Sequence, residues 1–152
     1  MKMKIPIDIN IKSERLFSDL TKQESEPETD IYKVSGFMKK MKNGLKLEFS
    51  EGKKDENVTT TICAYNDRTV SLSRVGNQNS QMVFADGKAL NCICDTGYFP
   101  LQMRIVTKKL ENSLSVDGGK LDIDYTVEIV GNLAEQNRLT FSVSPDKSII
   151  KS

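Results

Sequence analysis

Apolar and polar residues alternate with a period of two along most of the chain. Ile5, Ile7, Ile9 and Ile11 are interleaved with Pro6, Asp8, Asn10 and Lys12. Successive side chains on a strand point to opposite faces, so this pattern predicts a strand with one apolar and one wet face. Pro6 lacks a backbone donor, which suggests an edge position or a bulge there. The alternation returns at Tyr32, Val34, Gly36 and Met38, then at Leu45, Leu47 and Phe49, then at Val58, Thr60, Ile62 and Ala64. It continues through Val70 and Leu72, with Arg74 in the next slot, and through Met82 and Phe84. KALNCICD (residues 88–95) reads as a strand with two half-apolar faces. Leu101, Met103 and Ile105 follow, then a short run with Leu114 and Val116, then Leu121 to Ile129, then Leu139, Phe141 and Val143.

Turn signals separate these runs: Asn43-Gly44, Asn66-Asp67, Asp86-Gly87 and Asp117-Gly118-Gly119. Short strands with turns every 8–12 residues or so are the mark of an antiparallel sandwich or barrel. TKQESEPETD (residues 21–30) reads as a loop, and ERLFSDL (residues 14–20) fits a helical turn or a short strand equally well. No long amphipathic helix separates the strands, which argues against βαβ units, and no repeat suggests a propeller or solenoid. Successive short hairpins favour up-and-down connections, and ring closure removes exposed strand edges. The expectation is an all-β fold: a single antiparallel up-and-down β-barrel of about 8–10 strands over residues 1–145, with a loosely held tail at 146–152.

Composition narrows the function more by exclusion than by suggestion. A chain of 152 residues fits one domain with a real core. Its 22 basic and 21 acidic residues produce no global field favouring nucleic acid or anionic lipid. The opening MKMKIPIDINIK has no secretory pattern, and no window approaches the roughly 20 apolar residues of a membrane helix. A cytoplasmic location without a membrane or nucleic-acid partner is expected. Cys63, Cys92 and Cys94 are an odd set that fits a reducing compartment and core packing. The absence of histidine excludes imidazole-based triads, proton shuttles and zinc sites within this chain. No cofactor or metal is expected. The basic hairpin FMKKMKNGLK is balanced by Glu48, Glu51 and Asp55, and reads as a soluble tip.

Several blocks in order resemble the YwiB-like domain-of-unknown-function family. They are Gly36-Phe37, SRVG followed by MVFADG, CICDTGYFPLQMRIVT, and GGKLDIDYTVE. Within them Arg74 and Gly76 precede Met82 and Phe84, then Thr96 to Phe99, then an apolar strand from Leu101 to Thr107. The third element departs from the family pattern, with Gly97 where a proline and Phe99 where a glycine is expected. The resemblance implies a calycin (lipocalin-like) barrel and no established activity. With no tryptophan the lipocalin Gly-x-Trp signature is missing, and no Arg-x-Tyr occurs as in fatty-acid-binding proteins.

Arg74 is the main candidate for function. If Val70 and Leu72 face inward, so does Arg74. A guanidinium stays charged and cannot be buried cheaply without a partner. The register places Asp8, Glu48, Asp122, Asp124 and Glu128 outward, so no internal acid is expected beside it. Water at the barrel rim, backbone carbonyls of neighbouring loops and an anionic ligand remain open as its partners. Tyr32 and Tyr125 also fall on inward faces, where they pack or orient a polar group. Met82, Phe84 and Met103 line the interior or fill it.

The leading expectation is a non-catalytic barrel that binds a small apolar or amphiphilic, anionic molecule in its interior. The candidate ligand-binding residues are Arg74, Tyr32, Tyr125, Met82, Phe84 and Met103. One alternative is a filled barrel acting as an interaction or oligomeric module. The other is a small enzyme using tyrosine, arginine and a carboxylate, which requires an open cavity holding an acid near Arg74.

Overall fold

The computed structural model describes residues 4–17, 28–51, 58–66, 68–76, 79–95, 100–129 and 132–146. All regular structure among them is strand. In chain order the strands are β1 (Lys4–Phe17), β2 (Glu28–Met41), β3 (Gly44–Glu51), β4 (Val58–Tyr65), β5 (Thr69–Val75), β6 (Ser80–Ala85), β7 (Ala89–Asp95), β8 (Pro100–Asn112), β9 (Gly119–Ile129) and β10 (Asn132–Pro145). Each pairs antiparallel with its sequence neighbour, and β1 pairs with β10 to close the ring. The up-and-down barrel expected from the alternation is therefore the fold. No helix among the described residues is long and apolar enough to cross a membrane.

Ring closure revises the reading of Pro6. It is not on an edge: β1 lies between β2 and β10, and the ladder to β10 begins at Ile7 opposite Pro145. The Asp146 amide donates to the Pro6 carbonyl at 3.0 Å. Amide and carbonyl of one residue point to the same side of an antiparallel strand, so the missing donor falls at the ladder's end, where it costs little.

Two further readings are resolved. Of the two alternatives for residues 14–20 the strand is found at Glu14 to Phe17, which continue β1, while residues 18–27 lie outside the described residues. Leu114 and Val116 form no strand; they lie in the β8–β9 connection, where Ser115 and Gly118 make an isolated bridge. The preceding strand instead runs on to Asn112 by means of a bulge. Thr107 pairs with Tyr125 and Lys109 with Asp124, leaving Lys108 as the extra residue. Strict alternation would send Lys109 inward; the bulge resets the phase so that Leu110 is buried and both lysines are exposed. The family-like segment Thr96 to Phe99 and the tail at 147–152 lie outside the described residues.

The Asn43-Gly44 signal marks a hairpin, but the glycine has another purpose. The two-residue loop is Lys42-Asn43, and Gly44 opens β3 opposite Met41. A Cβ at Gly44 would run into the Ala64 carbonyl oxygen and lie 2.9 Å from its carbon. Close approach of β4 therefore excludes a side chain there.

The interior is a single apolar cluster drawn from nearly every strand. Ile7, Ile9, Met38, Leu47, Ile62, Leu72, Phe84, Ile105, Leu121, Ile123 and Phe141 are all buried within it. Cys92 packs against this cluster, whereas Cys63 lies half-buried on the outer face, opposite Lys46 and Ser71. The expectation that cysteines serve core packing thus fails for Cys63, because its parity opposes that of Ile62 and Ala64.

Candidate functional site

The inward-facing row changes character toward one end of the barrel. On β1 it runs Ile7, Ile9, Ile11 and then Ser13 and Arg15. On β2, read backward, it runs Met38, Gly36, Val34, then Tyr32 and Asp30. On β5, Val70 and Leu72 give way to Arg74, and on β10, read backward, Phe141 and Leu139 give way to Asn137 and Glu135. Adjacent strands run in opposite directions, so the ends of β1 and β5 and the starts of β2 and β10 meet at the same mouth. Register fixes the neighbours: Ser13 lies opposite Asp30 and Leu139, Arg15 opposite Asn137, and Asn137 opposite Tyr125.

These side chains enclose a cavity of about 230 Å3. It is lined by Ser13, Arg15, Asp30, Tyr32, Arg74, Met82, Met103, Tyr125, Val127, Glu135, Asn137 and Leu139. Five of the residues singled out from sequence therefore meet here: Arg74, Tyr32, Tyr125, Met82 and Met103. Phe84 does not line the cavity. It is fully buried beneath it, with its ring 4.7 Å from that of Tyr125 and tilted by 57°. The aromatic pair forms the floor between mouth and core.

The expectation that no acid lies inside is overturned. Asp8, Glu48, Asp122, Asp124 and Glu128 do occupy the outward parity, and three of them pair there with Lys33, Arg138 and Arg104. Asp30 and Glu135, however, line the same cavity as Arg74. Both lie beyond the apolar part of their strands, where a polar residue reads as a strand end. Continuing the parity of β2 backward from Tyr32, and of β10 backward from Leu139, finds them. Arg15 follows likewise from Ile11 by way of Ser13.

Charged groups in the mouth have partners of two kinds. Arg15 and Asp30 approach at 4.0 Å with exposed side chains, a contact of small energetic weight. The side-chain amide of the buried Asn137, which lies opposite Arg15, donates to Glu135 Oε1 at 2.9 Å. This bond orients the carboxylate. Burial pushes the Tyr125 phenol up to about 12; the positive charges of Arg74 and Arg15 oppose that rise and Glu135 adds to it. Tyr125 is thus a neutral hydrogen-bond donor at ordinary pH, within electrostatic reach of both guanidinium groups and the carboxylate. Met82, Met103, Val127 and Leu139 supply apolar wall between these groups. Among the described residues no group of three or more carboxylates and thiols is placed to hold a metal ion.

The comparisons with known proteins agree with this architecture. No curated protein matches the sequence. A crystal structure of the ywiB protein from Bacillus subtilis is similar at a TM-score of 0.78 and 18% identity, covering 93% of this chain and 92% of that one. At that identity the likeness speaks for the fold alone. The family model described as "Domain of unknown function (DUF1934)" matches residues 11–141, and the chain belongs to that family.

Proposed function

We propose that this barrel binds a small amphiphilic molecule in its polar mouth, with Arg74 taking the molecule's anionic group. The observation that carries this reading is the convergence of Arg74, Tyr32, Tyr125, Met82 and Met103 on one cavity. A guanidinium offers a forked donor to a carboxylate or phosphate, and the protonated Tyr125 adds a donor beside it. The methionines and Val127 would receive the apolar part. The ligand is accommodated above Phe84 rather than through the length of the barrel, because the buried cluster fills the space below. A volume of about 230 Å3 falls below the roughly 300–1,000 Å3 of pockets for drug-sized molecules, which favours a compact guest.

The test is native mass spectrometry of the purified protein together with thermal shifts across short fatty acids and aromatic acids. A true ligand at a hundredfold excess over its Kd should raise Tm by about 5–10 °C, and Arg74→Gln should abolish the rise. No co-purifying species and no shift across the panel would overturn the reading.

Catalysis is a second reading, favoured by one observation. The arrangement it requires, an acid in the same cavity as Arg74 and a tyrosine, is present as Glu135 and Asp30. Chemical change of a bound ligand, lost in Glu135→Gln while binding persists, would distinguish an enzyme from a carrier.

A further inference from the structure

The outer face carries an unusual charge pattern at the end of the barrel away from the mouth. Lys4 on β1 stands directly opposite Lys39 on β2, and Lys39 opposite Lys46 on β3, so three lysines form one cross-strand row. With neighbouring strands about 4.8 Å apart, the row spans about 10 Å. Like charges directly opposite one another are unfavourable in a sheet. Elsewhere on this face a cation meets an acid, as Lys33 meets Asp8 and Arg104 meets Glu128. Among the described residues no carboxylate lies within ion-pair distance of the lysine row, although Lys39 and Lys46 are half-buried. The next row holds Pro6, Phe37 and Glu48. Phe37 is 47% exposed on the wet side of the sheet, with the Lys4 ammonium 5.9 Å from its ring centre. The three lysines, Phe37 and Glu48 line one surface depression of about 130 Å3.

We infer that this patch binds single-stranded nucleic acid, with a base stacked on Phe37 and backbone phosphates on the lysine row. An aromatic face beside a positive track is the general means of holding a single strand. Phe37 and Lys39 are two residues apart on one face of β2, about 7 Å along the strand, so ring and cations are adjacent yet distinct. A nucleotide pairs a flat base with a nearby negative charge in the same way. The flexible lysine stems let three ammonium groups follow a backbone. Glu48 stands opposite Phe37 and outside the lysine row, where it can accept a hydrogen bond from a base amine. An acidic peptide would have nothing to place on that carboxylate or on the ring. A duplex keeps its bases stacked on one another and offers Phe37 no free face. The depression is well below the roughly 300 Å3 of the smallest enclosed ligand pockets, which favours a polymer crossing the surface over a free nucleotide. Along the sequence these lysines read as a soluble hairpin tip; strand register brings Lys4 and Phe37 beside them. The patch shares no residue with the mouth, so the inference is independent of the binding reading above.

The test is fluorescence anisotropy of the intact protein with an end-labelled oligo(dA) of about eight nucleotides, within the site sizes of single-strand binders. Affinity should fall between about 50 and 200 mM salt. Lys39→Gln combined with Lys46→Gln should make the slope of log K against log salt shallower by about 1.4, two phosphate contacts at about 0.7 each. Phe37→Ala should weaken binding about tenfold at every salt concentration and leave that slope unchanged. The matching duplex should bind more weakly than the single strand. An unchanged slope in the double lysine variant, or an unchanged affinity in Phe37→Ala, would overturn the inference. Adenosine monophosphate competing as well as the unlabelled oligomer would replace the strand by a free nucleotide. Polyglutamate competing as well would replace it by an acidic protein segment, and absence of binding at the lowest salt would remove the site. None of the three replaced side chains belongs to the buried core, and the wild-type comparison of strand, duplex, monophosphate and polyglutamate stands without the variants.

Discussion

Two halves of the same barrel are built on the same strands and obey different rules. In the lower half the inward row of β1, β5, β9 and β10 is Ile7, Ile9, Leu72, Ile123, Phe141 and their neighbours, all buried and apolar. In the upper half the same rows carry Arg15, Arg74, Tyr125, Asn137 and Glu135 around open space. The lower half can be assembled from transfer of hydrocarbon out of water, which needs close packing and no particular partner. The upper half places ionised groups on a face that elsewhere is core. Such an arrangement is tolerated because the mouth admits water and because charges of both signs are present. The contrast teaches that burial accounts for one end of this molecule and charge complementarity for the other.

The largest expected effect that would break this comparison is in the floor between the two halves. Phe84→Ala should destabilise the protein by about 3–5 kcal/mol in urea unfolding, since it empties a fully buried aromatic site and removes its contact with Tyr125. If Arg74→Gln cost as much, the mouth would be a stabilising element and not a site. Next in size is the alkaline limb of stability. Tyr125 keeps its proton in the folded state up to about 12, against 10.0 for an unperturbed tyrosine. The unfolded chain therefore binds fewer protons between these values, so stability is full below about pH 10 and falls as pH rises toward 12. Unfolding measured across that window should be less steep with pH in Tyr125→Phe, and a phenol absorbance lost at ordinary tyrosine pH would refute the buried floor.

The smallest effect should come from the outer face, where neither rule dominates. Arg138 donates to both oxygens of Asp122, at 3.1 and 2.8 Å, and holds its carboxyl below the usual range. The folded state therefore prefers ionised Asp122, and this contribution is present above the unfolded carboxylate range and is lost as pH falls through the lower, folded value. The guanidinium is largely exposed, so Asp122→Asn should cost under about 1 kcal/mol at neutral pH, less in high salt, and nothing at low pH.

Much of the barrel was legible in the residues because period two is a local signal. The runs from Ile5, Leu45, Val58 and Leu121 each announce a strand and its buried face within a few residues. The departures came where the backbone left strict alternation. Lys108 is an inserted residue that a count of alternate positions cannot reveal, and Gly44 answers to Ala64 across a strand pair rather than to the turn beside it. For the site, Arg74, Tyr32 and Tyr125 were visible as polar intrusions into apolar rows. Arg15, Asp30 and Glu135 were not, since each follows a polar neighbour on its row and looks like the end of a strand.

Alternation and the turn signals between its runs, then, sufficed for the all-β class, the up-and-down order and the inward parity of Arg74. These depend on the two-residue repeat of an extended backbone, which any short segment carries in itself. Closure of β1 on β10 settled what Pro6 and Arg74 have for company. Whether opposite charges share a cavity depends on which strand ends meet at one mouth, and residues as far apart in the chain as Arg74 and Glu135 acquire that relation only when the ring is complete.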